Sequence, residues 1–346
     1  MSDLPGIWQV QRAASAIGGA LRRRSRRGVV LLYHRVAGPR FDPQLLDVSP
    51  QNFDAQMRIL AQRTEPLALR EFELRRRAGT LPARAVAVTF DDGYVNNLHV
   101  AVPLLNVHGI PATVFVAAGM IGTGREFWWD DIERIAFSVC ALLGAPPALL
   151  IPWSVDDGAP YMAERGITHW NAATLADSSP RCRLYRAMVG ASHRLPSRER
   201  DQLVSQWRAW AGVADVARES HRTMTTGELV ALSDARDISI GAHTMTHPSL
   251  AVLSAADQER ELFDSRRWLE ATIAKPVTMV AYPYGEAQDV SAATVGAAQS
   301  AGFDFGMANI PGTAWRWSSR WRVPRMLVRD WDATTFAARV DAWFTE

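Results

Sequence analysis

Short runs of β-branched and aliphatic residues recur along the chain with helix-length stretches between them, the alternation expected of a parallel α/β sheet or barrel. The first run is Val29-Val30-Leu31-Leu32-Tyr33, ending in His34-Arg35; the second is Ala85-Val86-Ala87-Val88-Thr89-Phe90, ending in Asp91-Asp92-Gly93; the third is Ala112-Thr113-Val114-Phe115-Val116. Later come Ile238-Ser239-Ile240, ending in Gly241-Ala242-His243, then residues 277–281, ending in Tyr282-Pro283-Tyr284-Gly285, then 303–307 and 322–328. In four of these runs polar or Gly/Pro-rich residues cluster just after the strand, the end at which α/β folds place their active sites. Between residues 120 and 225 the alternation fades, and this segment is expected to be an insertion after the third strand. Removing its 106 residues from the 346 leaves about 240, the size of one barrel.

Composition narrows the class. With 48% hydrophobic and 21% charged residues, a soluble, core-forming protein is expected, and disorder or a coiled coil is excluded. Lys+Arg number 38 against 36 Asp+Glu, a net charge of +2, which gives no electrostatic reason for a nucleic-acid partner. Cys140 and Cys182 are expected to be buried thiols in a reducing compartment, since two cysteines make neither a disulfide framework nor a zinc ribbon. Residues 1–27 read as an N-terminal helix followed by Arg22, Arg23, Arg24, Arg26 and Arg27. That order, apolar before basic, is the reverse of a secretory signal. Residues 7–21 are too polar and short to span a bilayer; a surface helix is expected, with the arginines a candidate contact for an anionic membrane face. Residues 135–155 lack charge but are broken by Gly144, Pro146 and Pro147, so a buried helix followed by a strand is expected there. The expected location is cytoplasmic, with peripheral contact at the inner membrane face as the alternative.

Candidate chemistry sits at the strand ends. Asp91 and Asp92 are adjacent carboxylates after an apolar strand, and burying either requires a metal, a hydrogen-bond donor or a counter-charge. His243 and His247 lie four apart after another strand, a spacing that points both rings at one ion if the loop starts as a helical turn. Two histidines and one aspartate make a three-ligand set with open positions, suited to a divalent ion that activates water.

The chain thereby resembles the polysaccharide deacetylase family (NodB homology domain, carbohydrate esterase family 4). The resemblance rests on Thr89-Phe90-Asp91-Asp92-Gly93-Tyr94, on His243-Thr244-Met245-Thr246-His247-Pro248 and on Tyr282-Pro283-Tyr284-Gly285, and covers about 28–120 and 226–330. It implies a distorted, TIM-like (β/α) barrel of seven strands over residues 28–346, interrupted by the 120–225 insertion as a cap. It also implies removal of N- or O-acetyl groups from sugars. Carried over, it makes Asp92, His243 and His247 the ligands of one divalent ion, zinc first with cobalt or nickel as alternatives, Asp91 the general base, and the backbone N–H of Tyr284 the oxyanion donor.

Two family features are missing. The arginine that opens the third motif and orients the base is replaced by Ala281, and Arg325 is the candidate substitute, against a plain salt bridge. No histidine follows His247 to protonate the leaving amine; His34 is the candidate general acid, as in members that look circularly permuted, against a structural histidine capping the strand end. His99, His108, His169, His193 and His221 show no ligand spacing and are expected at the surface or in packing. Trp128 and Trp129 are the candidate substrate wall, aromatic faces being suited to sugar rings, and Trp315, Trp317 and Trp321 form a second aromatic cluster. The expected function is metal-dependent hydrolysis of an acetyl group on an N-acetylated carbohydrate, such as an amino sugar or lipid-linked glycan intermediate. The alternatives are a deformylase or other non-peptide amide hydrolase of the same superfamily, and a non-catalytic carbohydrate-binding barrel.

Overall fold

All seven apolar runs carry a strand in the computed structural model, which describes residues 26–38, 41–137, 145–149, 170–173, 176–177 and 179–345. The strands are β1 (Arg27–Tyr33), β2 (Ala85–Phe90), β3 (Ala112–Val116), β4 (Ile238–Ala242), β5 (Met279–Ala281), β6 (Phe305–Met307) and β7 (Met326–Leu327). Neighbours from β1 to β6 pair in parallel in chain order, with β1 and β2 in register from Gly28↔Ala85 to Tyr33↔Phe90. β7 pairs in parallel with β1 at Leu31↔Met326, and the bridge Met307↔Val323 joins β6 to the segment leading into β7. The sheet therefore curls back on itself as a distorted seven-stranded barrel. Two-residue strands extend it, Glu65–Pro66 beside β2 and Ala314–Trp315 antiparallel to β1.

Every residue of β2 and β3 is buried, as expected of parallel strands covered on both faces. The last run keeps only two residues as strand; Pro324 just before them offers no N–H for a ladder, and the Arg325 side chain is fully buried. Helices close the outer face. Ser49 caps the helix Pro50–Arg63 by accepting from Asn52 N, and a capping box of Thr225 and Glu228 starts the helix Thr226–Asp234, both arrangements satisfying first-turn N–H groups.

Between β3 and that helix the chain forms the helices Trp128–Phe137, Pro180–Ser192 and Ser197–Ala211. They pack on an aromatic cluster that includes Tyr94, Phe127, Trp129, Tyr185 and Trp207, separate from the mainly aliphatic barrel core. Residues 1–25, Cys140 and His169 lie outside the described residues, as does most of 135–155; Cys182 is buried. No described helix is long and apolar enough to cross a membrane. Because the strands run parallel, His34, Asp91, His243 and Tyr282 all leave the barrel at one face, the carboxyl end of the sheet.

Candidate active site

At that face a cavity of about 210 Å³ is lined by His34, Asp91, Asp92, Trp129, His193, His243, His247, Tyr284 and Arg329, among others. A wider open depression of about 850 Å³ runs along the helix Ser197–Ala211 and shares none of these residues. The reacting-group candidates are therefore confined to the small cavity.

Asp91 and Asp92 sit on the turn after β2. Asp91 N donates to Tyr33 O (3.0 Å), tying the turn to the end of β1. Asp92 then adopts φ +78° and Gly93 φ +87°; the left-handed backbone costs little at glycine and is uncommon at an aspartate. Tyr284, Thr244 and His247 share that conformation, with φ of +60°, +65° and +54°. Such non-glycine outliers persist where the surroundings over-determine them, and they cluster at functional sites.

The His243–His247 loop departs from the expected helical turn. His247 N donates to Thr244 Oγ1 (3.1 Å), while Glu261 accepts from Met245 N, Thr246 N and Thr246 Oγ1. Arg200, from an insertion helix, donates to Thr246 O and His247 O. The loop still brings both rings together, with centroids 4.8 Å apart. His243 Nδ1 lies 2.8 Å from Ala281 O, which fixes the tautomer with hydrogen there and leaves Nε2 as the lone-pair donor. His243 Nε2 and His247 Nε2 stand 3.5 and 3.3 Å from Asp92 Oδ1. That oxygen is buried with no hydrogen-bond partner, and the ligand atoms of the three residues lie within 4.8 Å of one another. Burial lowers both imidazoles, His247 to about 3, so both rings are neutral donors. A neutral N/N set with an unsatisfied carboxylate oxygen fits a divalent ion.

Asp91 is held differently. Arg325 Nη1 and Nη2 donate to its two carboxylate oxygens, each at 2.7 Å, and Arg325 Nε donates to Ala308 O (3.0 Å). Burial alone would raise the Asp91 carboxyl, but Arg325 and His243 hold it down to about 2. The candidate substitute for the missing arginine thus grips the candidate base in a bidentate pair. His34 lies in the cavity wall, its Nδ1 buried without a partner, and burial lowers its ring to about 4 despite Asp92 and Asp91. Tyr284 contributes its left-handed backbone, and its ring lies 5.0 Å from that of His247.

Of the two tryptophans, only Trp129 lines the cavity, its ring 4.8 Å from that of His247 and stacked on Phe127 at 4.5 Å. Trp128 is a correction: it is buried behind, edge-on to Trp129 and under the Arg200 guanidinium, because consecutive helical positions point about 100° apart. Trp315 pairs with Arg27 at the start of β1, the end of the barrel away from the cavity. His193 is the residue sequence reasoning missed: it lines the cavity with its ring 4.2 Å from that of Tyr284. Nothing in its spacing signals this. His99 and His108 pair with Glu228 and Asp54, and His221 is buried.

A second group, Asp130, Glu133 and His221, also has ligand atoms within 4.8 Å. Here arginines occupy the place of a cation. Arg35 Nη1 donates to Asp130 Oδ1 and Arg218 Nη1 to Glu133 Oε1, both at 2.7 Å. Burial and the nearby Arg35, Arg218 and Arg134 push His221 well below its ordinary range, so the group is an ion-pair network.

Comparison with known proteins bears on the family and the fold. The chain matches the family model described as "Polysaccharide deacetylase" over residues 78–141 and 216–306, the two stretches that supply both aspartates and both histidines. It is 28% identical to "Putative polysaccharide deacetylase YxkH" of Bacillus subtilis (strain 168) over 109 residues, 31% of this chain and only 38% of that relative's length. Among solved structures it is similar in fold to the Streptococcus pyogenes deacetylase PplD in complex with acetate, with TM-score 0.56 and 16% identity over 91% of this chain and 98% of the other. It is also similar to IcaB from Ammonifex degensii, with TM-score 0.56 and 17% identity over 93% and 98%.

Proposed function

We propose that this chain, which belongs to the polysaccharide deacetylase family, hydrolyses the acetamide of an N-acetylated amino sugar with the aid of one divalent ion. The observation that carries the reading is the division of labour between adjacent carboxylates: Arg325 holds Asp91 at 2.7 Å through both oxygens, while Asp92 Oδ1 faces two imidazole nitrogens. Asp92, His243 and His247 would hold the ion, with zinc the first expectation and cobalt or nickel accepted by the same donor set. When bound, it supplies Lewis acidity that makes water a nucleophile and polarises the acyl oxygen.

The chain's own groups do the rest. Asp91, ionised and fixed in orientation by Arg325, accepts the proton of the attacking water on a carboxylate oxygen. The Tyr284 N–H, on a left-handed turn at the cavity wall, is the donor for the developing oxyanion. His34, neutral at rest and more basic than Asp91, takes over the proton that Asp91 has accepted from water and, as the imidazolium, donates it to the departing nitrogen, returning to its neutral form. Trp129 forms an apolar wall for the sugar and, with Phe127, keeps water off the His247 side.

Residues 28–346 act in this reading as one catalytic domain with 120–225 inserted. Its proposed setting is cytoplasmic, with peripheral membrane contact through the N-terminal basic segment as the alternative; fractionation in the host tests this, and recovery outside the cell would remove it. The substrate is an amino sugar or lipid-linked glycan intermediate. The metal-reconstituted protein should release acetate from at least one member of a panel of N-acetylated mono-, oligo- and lipid-linked sugars. Release of formate from N-formyl sugars alone would replace the reading with a deformylase, and glycan binding without turnover would replace it with a binding barrel.

A further inference from the structure

Among the described residues, one cation in the cavity wall, Arg329, forms no ion pair. Arg329 follows β7, and its guanidinium stands in the same wall as His34, Gln44 and Leu327. Its Nη1 donates to Gln44 O (3.1 Å) and to Leu45 O, which anchors the head group against the 42–46 loop. Asp42, the carboxylate whose field reaches it, is engaged by Arg35 at 3.5 Å. Among the described residues no carboxylate forms an ion pair with Arg329, and the cavity's carboxylates are turned to other groups. Asp91 is neutralised by Arg325, and Asp92 faces the two histidines. Glu286 is exposed at the rim and accepts from Gln288.

Size and charge together narrow what this cation meets. The cavity, at about 210 Å³, is below the roughly 300–1,000 Å³ of pockets for drug-sized ligands, and so has room for about one sugar ring. A group that touches Arg329 therefore belongs to the ring that presents its acyl nitrogen to His34, or to that ring's immediate substituent. A guanidinium with one nitrogen fixed on carbonyls, and with no further protein partner for its other donors among the described residues, is matched by an oxyanion rather than by a hydroxyl.

We propose that Arg329 recognises an anionic substituent, a phosphoester or a carboxylate, on the same sugar that carries the acyl group, so that the substrate is an acidic N-acylated amino sugar. The inference rests on the hydrolase reading above and deepens it. Arg329 is a specificity residue here, acting on substrate and not on the transferred proton.

The test uses the full-length, metal-reconstituted protein with three probes: N-acetylglucosamine, its 1-phosphate, and N-acetylmuramic acid. The phosphate and carboxylate arms separate the two sources of charge. Wild type should favour at least one acidic sugar over the neutral one by about 10–100-fold in kcat/KM, the range of a charge-assisted hydrogen bond. Arg329→Gln should abolish that ratio mainly through KM, and Arg329→Lys should restore part of it; raised salt should narrow it in wild type. A purely structural anchor would lower all three substrates together, leaving the ratio intact in Arg329→Gln, and that result overturns the proposal, as does a wild-type ratio near one. Calorimetric binding of the amine products, glucosamine against glucosamine 1-phosphate and muramic acid, separates this inference from the hydrolase reading. A charge preference in binding that vanishes in Arg329→Gln, without turnover of any probe, supports the site and sinks the hydrolase. Equal binding of charged and neutral amines overturns the site.

Discussion

The barrel and the insertion fill their interiors with different kinds of side chain. In the barrel, Val, Leu, Ile and Ala fill the interior, and polar side chains are gathered at the strand ends, where His34, Asp91 and His243 emerge. In the insertion, aromatic rings fill the core and charges are buried in pairs: Arg208 Nη1 lies 3.0 Å from Asp131 Oδ2, and Arg218 Nη2 lies 2.9 Å from Glu126 Oε2. One hydrogen-bonded chain joins the two regions. Arg35, beside His34, holds Asp130 (2.7 Å); Tyr94, two residues after Asp92, donates to the other oxygen of Asp130 (2.7 Å); Trp129 Nε1 donates to Tyr94 Oη (2.9 Å). The barrel supplies the cavity's carboxylates and most of its histidines, and the insertion adds Trp129 and His193 to its wall while bracing the loops that carry the candidate reacting groups.

Removing charges on either side should separate these contributions. Arg325→Ala, on the barrel side, strips Asp91 of both hydrogen bonds, and turnover should fall by about 100-fold or more, the loss expected when a catalytic base is mispositioned; steady-state rates check it, and an undiminished kcat would show that the pair is only structural. Asp130→Ala, on the insertion side, leaves the buried Arg35 with less compensation and should destabilise the fold by about 3 kcal/mol, read from the denaturant midpoint. If turnover vanished while that midpoint stayed put, Asp130 would belong to the chemistry and the contrast between regions would fail. Tyr94→Phe removes the hydroxyl at the junction, at a cost of about 1–3 kcal/mol for the partners left unsatisfied, and should raise KM more than it lowers kcat. The smallest effect belongs to the exposed pair of Arg63 and Asp341 (3.0 Å), where Arg63→Ala should change stability by less than about 1 kcal/mol.

The same contrast decides what was legible in the sequence. Barrel strands announce themselves as apolar runs, and residues that follow them inherit a common face from the parallel register, so Asp91, Asp92, His243 and His247 are readable together. Arg325 is readable only as a candidate, because its reach to Asp91 depends on β7 lying beside β1, a pairing of residues nearly 300 positions apart. The His243–His247 loop misleads because spacing says helical turn, whereas Glu261 and Arg200 bond its backbone into left-handed bends at Thr244 and His247. His193 and the Arg35–Asp130–Tyr94 chain are not legible at all. Their partners come together through insertion helices whose polar faces read as ordinary solvated surface, and no period in the chain encodes which arginine meets which carboxylate.

In the proposed reaction adjacent aspartates divide one site: Asp92 would hold the ion with His243 and His247, while Asp91 would work beside it in the grip of Arg325. Metal content and acetate release, measured on the same preparations of wild type, Asp91→Asn and Asp92→Ala, test this directly. About one ion per chain with turnover is expected in wild type, the ion retained but turnover lost in Asp91→Asn, and both lost in Asp92→Ala, each loss of turnover being several kcal/mol of barrier. Full-rate acetate release by Asp91→Asn, or an undiminished metal content in Asp92→Ala, would contradict it.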